Sequence, residues 1–261
     1  MNILMVGDIV GGPGRKVFAR LAGQMKQRGA VDFIVANAEN AAGGRGATRI
    51  IVEELLNAGA DVLTMGDHTW DQKEIVPLMD LERRLLRPAN FAPGCPGRGI
   101  VTVDTTKGRV TVMNLVGRVF MPPTDCPFRA ADALLGKEPG LGKVILVDMH
   151  AEATSEKLAL GRYLDGRVSA VVGTHTHVQT SDEAILPRKT AYLTDLGMTG
   201  AKDSILGRDL ASVLNKFMTG MPSKFEIAEK DVALEGALID VDEATGRARK
   251  ITRVREWLER T

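Results

Sequence analysis

Residues 1–40 read MNILMVGDIVGGPGRKVFARLAGQMKQRGAVDFIVANAEN, and this stretch decides the fold. Two short apolar runs, Ile3–Val6 and Phe33–Ala36, flank an amphipathic segment that we expect to be helical from Arg15 to Arg28. Short apolar runs are typical of buried strands, and a helix between two of them favours a parallel β-α-β unit. The sequence therefore predicts an α/β fold.

The remainder of the chain continues this alternation. Further strands are predicted at 62–65, 100–104, 110–115, 144–147, 168–172 and 190–194, and further helices at 49–58, 73–81, 128–135, 155–164 and 209–217. Lys107 and Gly108 separate two strands and predict a hairpin. The segments 224–227, 232–240 and 247–255 alternate without helices, which predicts an antiparallel edge. We expect one domain over residues 1–261, with two packed mixed β-sheets flanked by α-helices.

Charge and composition narrow the class of protein. Lys plus Arg number 34 and Asp plus Glu number 33, so the net charge is +1. This balance argues against binding to long nucleic acid or to a membrane surface. No signal peptide or membrane span is predicted. Cys95 and Cys126 are isolated, which favours reduced thiols in a cytoplasmic protein and excludes a zinc ribbon.

Polar side chains follow five of the predicted strands, at the point where each strand ends. The set comprises Asp8, Glu39, Asp67, His68, His150, His175 and His177. Ligands of open α/β sheets bind beyond the carboxyl ends of the strands, so we expect these groups to meet at one edge of one sheet. Converging carboxylates and imidazoles are what a pair of metal ions requires. The pattern favours a metal-dependent hydrolase.

The sequence GTHTH contains two histidines that are separated by one residue. In extended backbone, His175 and His177 would point to the same face and could reach neighbouring metals. The alternative is two loop histidines without a shared role. The preceding apolar run and the other polar clusters favour metal ligation.

The first two clusters have alternative interpretations. Asp8 enters a glycine-rich loop that could bind phosphate, but the spacing fits neither a Walker A motif nor a dinucleotide fingerprint. Glu39 lies in NAEN, which could be an ordinary turn. If NAEN instead belongs to a metal site, Glu39 could bridge two cations and Asn40 could bind one of them through its amide oxygen.

Two further carboxylates have supporting roles in this interpretation. His68 would extend beyond the metals towards the substrate as a proton donor, and Asp71 would fix its tautomer. Asp148 precedes His150 by two residues and is expected either to join the site or to support it by accepting a hydrogen bond.

Six motifs together resemble the YmdB-like bacterial metallophosphoesterases of the calcineurin-like superfamily. They are GDIVG (7–11), NAEN (37–40), GDHTWD (66–71), MHAEATSEK (149–157), GTHTH (173–177) and LTDLGMTG (193–200). The resemblance implies a calcineurin-like fold, a dinuclear centre with iron or manganese, and cyclic nucleotides or other phosphodiesters as substrates. Zinc and magnesium are also compatible with the predicted ligands. Self-association is a further implication.

The same resemblance implies a role for each motif residue. One metal would be held by Asp8, Glu39, Asn40 and His177. The second would share Glu39 as a bridge and add Asp67, His150 and His175, with His68 as the general acid. The family usually has asparagine where this chain has Asp67, so the second metal would carry an additional negative charge.

The predicted function is hydrolysis of 2′,3′-cyclic nucleotides, with 3′,5′-cyclic nucleotides and related phosphodiesters as further candidates. A phosphomonoesterase or nuclease with the same centre is one alternative. A non-catalytic regulatory protein that binds metal or nucleotide is another. An iron-storage site is disfavoured because helical Glu-x-x-His pairs are lacking. The residues Asn90, Arg118 and 195–197 could line the substrate rim or have structural roles, and no substrate-binding residue is identified.

Overall fold

Short runs of valine, isoleucine, leucine and alanine form the strands of two β-sheets in the computed structural model, which describes residues 1–259. The strands are β1 (Asn2–Val6), β2 (Asp8–Ile9), β3 (Phe33–Asn37), β4 (Val62–Thr64), β5 (Leu85–Leu86), β6 (Ile100–Thr105), β7 (Gly108–Val116), β8 (Val144–His150), β9 (Ala170–Thr174), β10 (Ala184–Ile185), β11 (Ala191–Leu193), β12 (Met198–Ala201), β13 (Val232–Val241) and β14 (Ala248–Trp257). The helices are α1 (Gly11–Gln27), α2 (Arg49–Asn57), α3 (Ile75–Leu81), α4 (Pro127–Lys137), α5 (Thr154–Leu164) and α6 (Leu210–Thr219).

The first sheet has eight strands, in the order β2-β12-β13-β1-β3-β4-β5, with β14 paired to β13. Strands β1, β3, β4 and β5 are parallel to one another, as the β-α-β pattern predicts. The second sheet has six strands, in the order β10-β11-β9-β8-β7-β6. Its strands β7, β8, β9 and β11 are parallel, and β6 and β7 form the predicted antiparallel hairpin.

Alternation of side chains along β1 separates two regions of the core. Ile3 and Met5 belong to a buried cluster that also contains Val112 and Leu146 of the second sheet. Leu4 and Val6 pack instead with residues of α1 and α2. Because side chains alternate between the faces of a strand, each sheet buries one face against the other sheet and one against helices. The predicted α/β class and two-sheet architecture are confirmed.

Two helices begin at positions that differ from the prediction. Helix α1 begins at Gly11 instead of Arg15, with Pro13 in its first turn. Helix α3 begins at Ile75 instead of Lys73, so that Pro77 lies in its first turn. Proline is tolerated there because the first N–H groups of a helix have no partner within it.

The C-terminal segment differs from the predicted antiparallel edge. Strand β13 is internal, since it pairs with β1 on one side and with β14 on the other, and only β14 lies at the margin. The predicted strand 224–227 is not formed. Within it, Ile227 makes an isolated bridge to Arg208.

Two simpler expectations can be compared directly with the structure. Cys95 and Cys126 are free thiols. Among residues 1–259, no helix is both long enough and apolar enough to cross a membrane.

Candidate metal centre

Both sheets contribute to the cluster of carboxylates and imidazoles. Asp8 follows β1, and Glu39 and Asp67 follow β3 and β4 of the eight-stranded sheet. His150 ends β8 and His175 follows β9 in the six-stranded sheet. The prediction of one edge of one sheet is therefore wrong. The groups meet because the parallel strands of the two packed sheets end on the same side of the molecule.

Four of these side chains form a group with the geometry of a metal site. His150 Nε2 lies 3.0 Å from Glu39 Oε1 and 3.1 Å from Asp67 Oδ1. His175 Nδ1 lies 3.4 Å from Asp67 Oδ1 and 3.0 Å from His150 Nε2. One ligand atom from each of the four lies within 4.8 Å of all the others. Two imidazole nitrogens that face each other among carboxylates suit a shared cation.

The remaining predicted ligands lie beside this group. Asn40 Nδ2 is 3.0 Å from Glu39 Oε1 and 3.3 Å from His177 Nε2. Asp8 Oδ2 accepts a hydrogen bond from the backbone N–H of His175 at 3.1 Å. His177 Nε2 is 3.9 Å from Asp8 Oδ1. All seven predicted ligands are thus brought together.

Asp8 carries the clearest sign that a cation belongs here. Its Oδ1 is buried and has no hydrogen-bond partner in the described part of the chain. An unsatisfied buried carboxylate oxygen is costly, and a metal ion would satisfy it. The residues present therefore fit a metal.

Burial and neighbouring charged groups shift the pKa values of His150 and Asp8. Burial lowers the pKa of His150, but the negative charges of Glu39, Asp67 and Asp8 outweigh it and raise this pKa well above its ordinary value. Burial raises the pKa of Asp8 despite the neighbouring His177 and His150. Metal ligands must be deprotonated, so a bound cation would displace the proton from His150.

A buried network orients His150. Thr174 Oγ1 donates to Asp148 Oδ1 at 2.7 Å and lies 2.9 Å from His150 Nδ1. Because the hydroxyl proton is used on Asp148, Thr174 accepts the proton on Nδ1, so the Nε2 lone pair would face the cluster once a bound cation has displaced the Nε2 proton. Asp148 therefore supports the site through Thr174, which the sequence reasoning did not identify.

The backbone of GTHTH leaves strand β9 after Thr174 and is not extended at His175 and His177. His175 has φ 95° and His177 has φ 64°, which are uncommon for residues other than glycine. The predicted reason for their convergence, two residues on one face of extended chain, is wrong. The two imidazoles reach the site because the loop is tightly turned.

A buried ion pair lies beneath this loop and was missed as a functional feature. Asp195 Oδ2 accepts from Lys157 Nζ at 2.7 Å and from Thr176 Oγ1 at 2.6 Å. Glu152 was also missed, and its Oε2 lies 3.2 Å from His175 Nε2. Glu152, Lys157 and Asp195 belong to the motifs MHAEATSEK and LTDLGMTG, which are the signal for them in the sequence.

His68 lies at the mouth of the cluster. Its Nδ1 is 3.1 Å from Asp71 Oδ2, the partner predicted for it, and its Nε2 is 4.0 Å from Asp67 Oδ2. The same oxygen of Asp71 is 3.0 Å from Arg45 Nε. The imidazole is partly exposed and faces a cavity of about 850 Å³. This position suits a proton donor to a bound molecule.

The remaining candidates for the substrate rim differ in position. Asn90 is buried, and its amide donates to the carbonyl oxygens of Val116 and Asp125, both at 2.8 Å, so its role is structural. Arg118 is exposed and does not line the cavity. Asp195 is buried in the ion pair with Lys157.

The model of the family described as YmdB-like protein matches residues 4–254. The chain belongs to this family. It is 50% identical over 254 residues to a 2′,3′-cyclic-nucleotide 2′-phosphodiesterase of Bacillus subtilis (strain 168), with 97% of this chain and 96% of that protein covered. This relationship supports the resemblance inferred from the six motifs.

Solved structures extend the comparison. A crystal structure of a novel phosphatase of Mycoplasma pneumoniae superposes with a TM-score of 0.91 at 32% identity, covering 98% of this chain and 93% of that one. A putative 5′-nucleotidase of Staphylococcus aureus superposes with a TM-score of 0.64 at 11% identity, covering 100% of this chain and 55% of that one. The second likeness concerns the fold alone, and together they confirm the predicted metallophosphoesterase fold.

Proposed function

We propose that this protein is a metal-dependent phosphodiesterase that hydrolyses the 2′ ester bond of 2′,3′-cyclic nucleotides. The observation that carries the proposal is the convergence of three carboxylates and three histidines from two sheets beside one cavity, which Glu39, His175 and His177 line. The activity named for the Bacillus subtilis relative supports the choice of substrate. The whole chain, residues 1–261, would act as a single metallophosphoesterase domain.

Two cations fit the arrangement. One would be held by Asp8, Glu39, Asn40 and His177, and the other by Glu39, Asp67, His150 and His175. Support comes from the unpaired Asp8 oxygen and from the close approach of Glu39, Asp67, His150 and His175. We propose iron or manganese, since carboxylate, amide and imidazole ligands suit both. Self-association and a cytoplasmic location stay predictions.

The residues of this chain have distinct tasks in the reaction. Bound metals supply Lewis-acid polarisation of the phosphate and activation of a water molecule. His68, at the mouth of the cluster, protonates the departing 2′ oxygen, which would otherwise leave as a poor alkoxide. Asp71 accepts the Nδ1 proton of His68 and so directs Nε2 at the substrate. The product of this cleavage is a nucleoside 3′-phosphate.

The test is the His68→Ala variant, assayed with two substrates after loading with manganese or iron. The kcat for 2′,3′-cyclic AMP should fall roughly 10²- to 10⁴-fold, which is the usual contribution of a general acid. The loss with bis(p-nitrophenyl) phosphate should be far smaller, because nitrophenolate leaves without a proton. Elemental analysis should find the same metal content as in the wild type, since His68 is not among the proposed ligands.

Removal of metal by a chelator is the control and should abolish both activities. If His68→Ala hydrolysed each of the two substrates at the wild-type rate, His68 would not be the general acid. If metal-loaded wild-type protein bound 2′,3′-cyclic AMP without forming product, the non-catalytic regulatory alternative would replace the proposed function.

A further inference from the structure

One wall of the cavity beside the candidate metal centre combines positive charges with aromatic rings. It is formed by Arg208, Lys216, Phe217 and Phe225, which we call the distal wall. Helix α6 contributes Lys216 and Phe217, and the segments on either side of it contribute the other two. The wall adjoins the metal centre, because His177 Nδ1 lies 3.3 Å from the carbonyl oxygen of Leu206.

Arg208 is held in place without a carboxylate partner. Its guanidinium donates to the carbonyl oxygens of Gly44 at 2.7 Å and Gly43 at 3.1 Å. Over residues 1–259, no Asp or Glu oxygen pairs with it. Burial and the positive charge of Arg45 lower the pKa of Arg208, so the charge is poorly compensated. A bound anion would relieve this cost.

The aromatic part of the wall is open to a ligand. Lys216 Nζ lies 5.0 Å from the ring centre of Phe225, within the range of a cation–π contact. Lys216 likewise has no ion-pair partner in the described range. The side chain of Phe217 is 81% exposed at the cavity. Exposed rings beside cations provide the combination that binds bases and phosphates of single-stranded nucleic acid.

The charge of the substrate decides what this wall binds. A 2′,3′-cyclic mononucleotide carries one negative charge, on the phosphate that reacts, and that phosphate would lie at the metal centre. Nothing in such a substrate would neutralise Arg208 and Lys216. A second phosphate and a second base would suit them, and the cavity of about 850 Å³ has room for more than the reacting group.

We infer that the distal wall binds a second nucleotide unit, with its base against Phe217 and Phe225 and its phosphate against Arg208 and Lys216. The preferred substrate would be a short RNA oligonucleotide that ends in a 2′,3′-cyclic phosphate. This inference rests on the proposed function and specifies its substrate class. It leaves the reaction at the metal centre unchanged.

Calorimetric binding of two product analogues to the metal-loaded protein tests the inference without turnover. The ligands are adenosine 3′-monophosphate and the dinucleotide ApAp, which ends in a 3′-phosphate. The dinucleotide should bind about tenfold more tightly or better, because a charge-assisted hydrogen bond contributes at least this much. This advantage should shrink several-fold in Lys216→Gln and in Phe217→Ser.

Matched controls separate the distal wall from general surface effects. Lys137→Gln removes an exposed positive charge at the end of α4, outside the cavity. Met218→Ser removes a neighbouring apolar side chain that is 83% exposed and does not line the cavity. Both control variants should retain the full preference for ApAp.

Equal affinity of the wild type for the two ligands would overturn the subsite. So would a loss of the preference for ApAp in Lys137→Gln as large as that in Lys216→Gln. A third contrary result would be an unchanged preference for ApAp in Phe217→Ser together with an altered sedimentation coefficient. The last would assign this face to contact between copies of the chain. Preference for ApAp without hydrolysis of 2′,3′-cyclic AMP would overturn the proposed reaction and support the subsite.

Discussion

At the scale of single residues, Asp67 is the position where this chain departs from the asparagine that the family resemblance implies. Its Oδ1 lies between His150 Nε2 and His175 Nδ1, at 3.1 and 3.4 Å. Burial raises the pKa of Asp67, but hydrogen bonds from both histidines outweigh it and hold this pKa well below the usual range. The side chain is therefore an anion, and it would add negative charge at the second metal.

We expect Asp67→Asn to retain both metals with weaker affinity and to raise kcat several-fold. An amide oxygen donates less charge, which leaves the metal a stronger Lewis acid. Elemental analysis and steady-state kinetics with 2′,3′-cyclic AMP measure the two effects. Asp71→Asn is the matched control, and its kcat should fall because His68 loses its partner. Complete loss of metal from Asp67→Asn would show that the negative charge is required for binding.

Individual residues also show what sequence reasoning can reach at this site. Asp8, Glu39 and His150 were predictable because each is a polar group at the end of an apolar run. Thr174 was not, because a threonine inside a strand gives no sign that its hydroxyl connects a histidine to a buried carboxylate. That role depends on contacts between neighbouring strands.

At the scale of elements, the GTHTH loop is the part whose conformation most needs support. Positive φ angles at His175 and His177 are unfavourable for residues with a Cβ atom. Asp195 holds the residue between them through the hydroxyl of Thr176, and Lys157 neutralises Asp195. The ion pair is almost completely buried. Strand periodicity predicts side-chain directions only within a strand, so it could not predict the conformation of this loop.

We expect Lys157→Met to destabilise the protein by about 3–5 kcal/mol, because it leaves the Asp195 carboxylate buried without a counter-charge. Chemical denaturation measures the free energy of unfolding. Lys107→Met is the matched control. Its ammonium pairs with Asp32 at the surface, so the free energy of unfolding should change little. Similar stabilities for the two variants would mean that the buried pair does not support the loop.

At the scale of the whole molecule, the candidate centre depends on the packing of two sheets. The alternation of strands and helices predicted the parallel strands and their polar ends. It did not reveal that His150 and His175 belong to a different sheet from Asp8, since sheet membership is set by pairing between distant segments. The internal position of β13 was hidden for the same reason: its partner β1 lies at the opposite end of the chain.

A metal held by both sheets should stabilise the entire fold. Manganese at about 100 times its Kd would add roughly 2.7 kcal/mol, which corresponds to an increase in Tm of roughly 5–10 °C for a chain of this size. Asp8→Ala removes a proposed ligand from the first sheet, and His150→Ala removes one from the second. Each variant should lose most of the manganese-dependent increase, whatever its own Tm without metal.

The control is Asp104→Ala, which removes an exposed carboxylate on the β6–β7 hairpin outside the cavity and should retain the full increase. Differential scanning calorimetry with and without manganese provides the comparison. If His150→Ala kept the full increase while Asp8→Ala lost it, His150 would not contribute to metal binding. Loss in both variants, with retention in the control, would establish that the metal connects the two sheets.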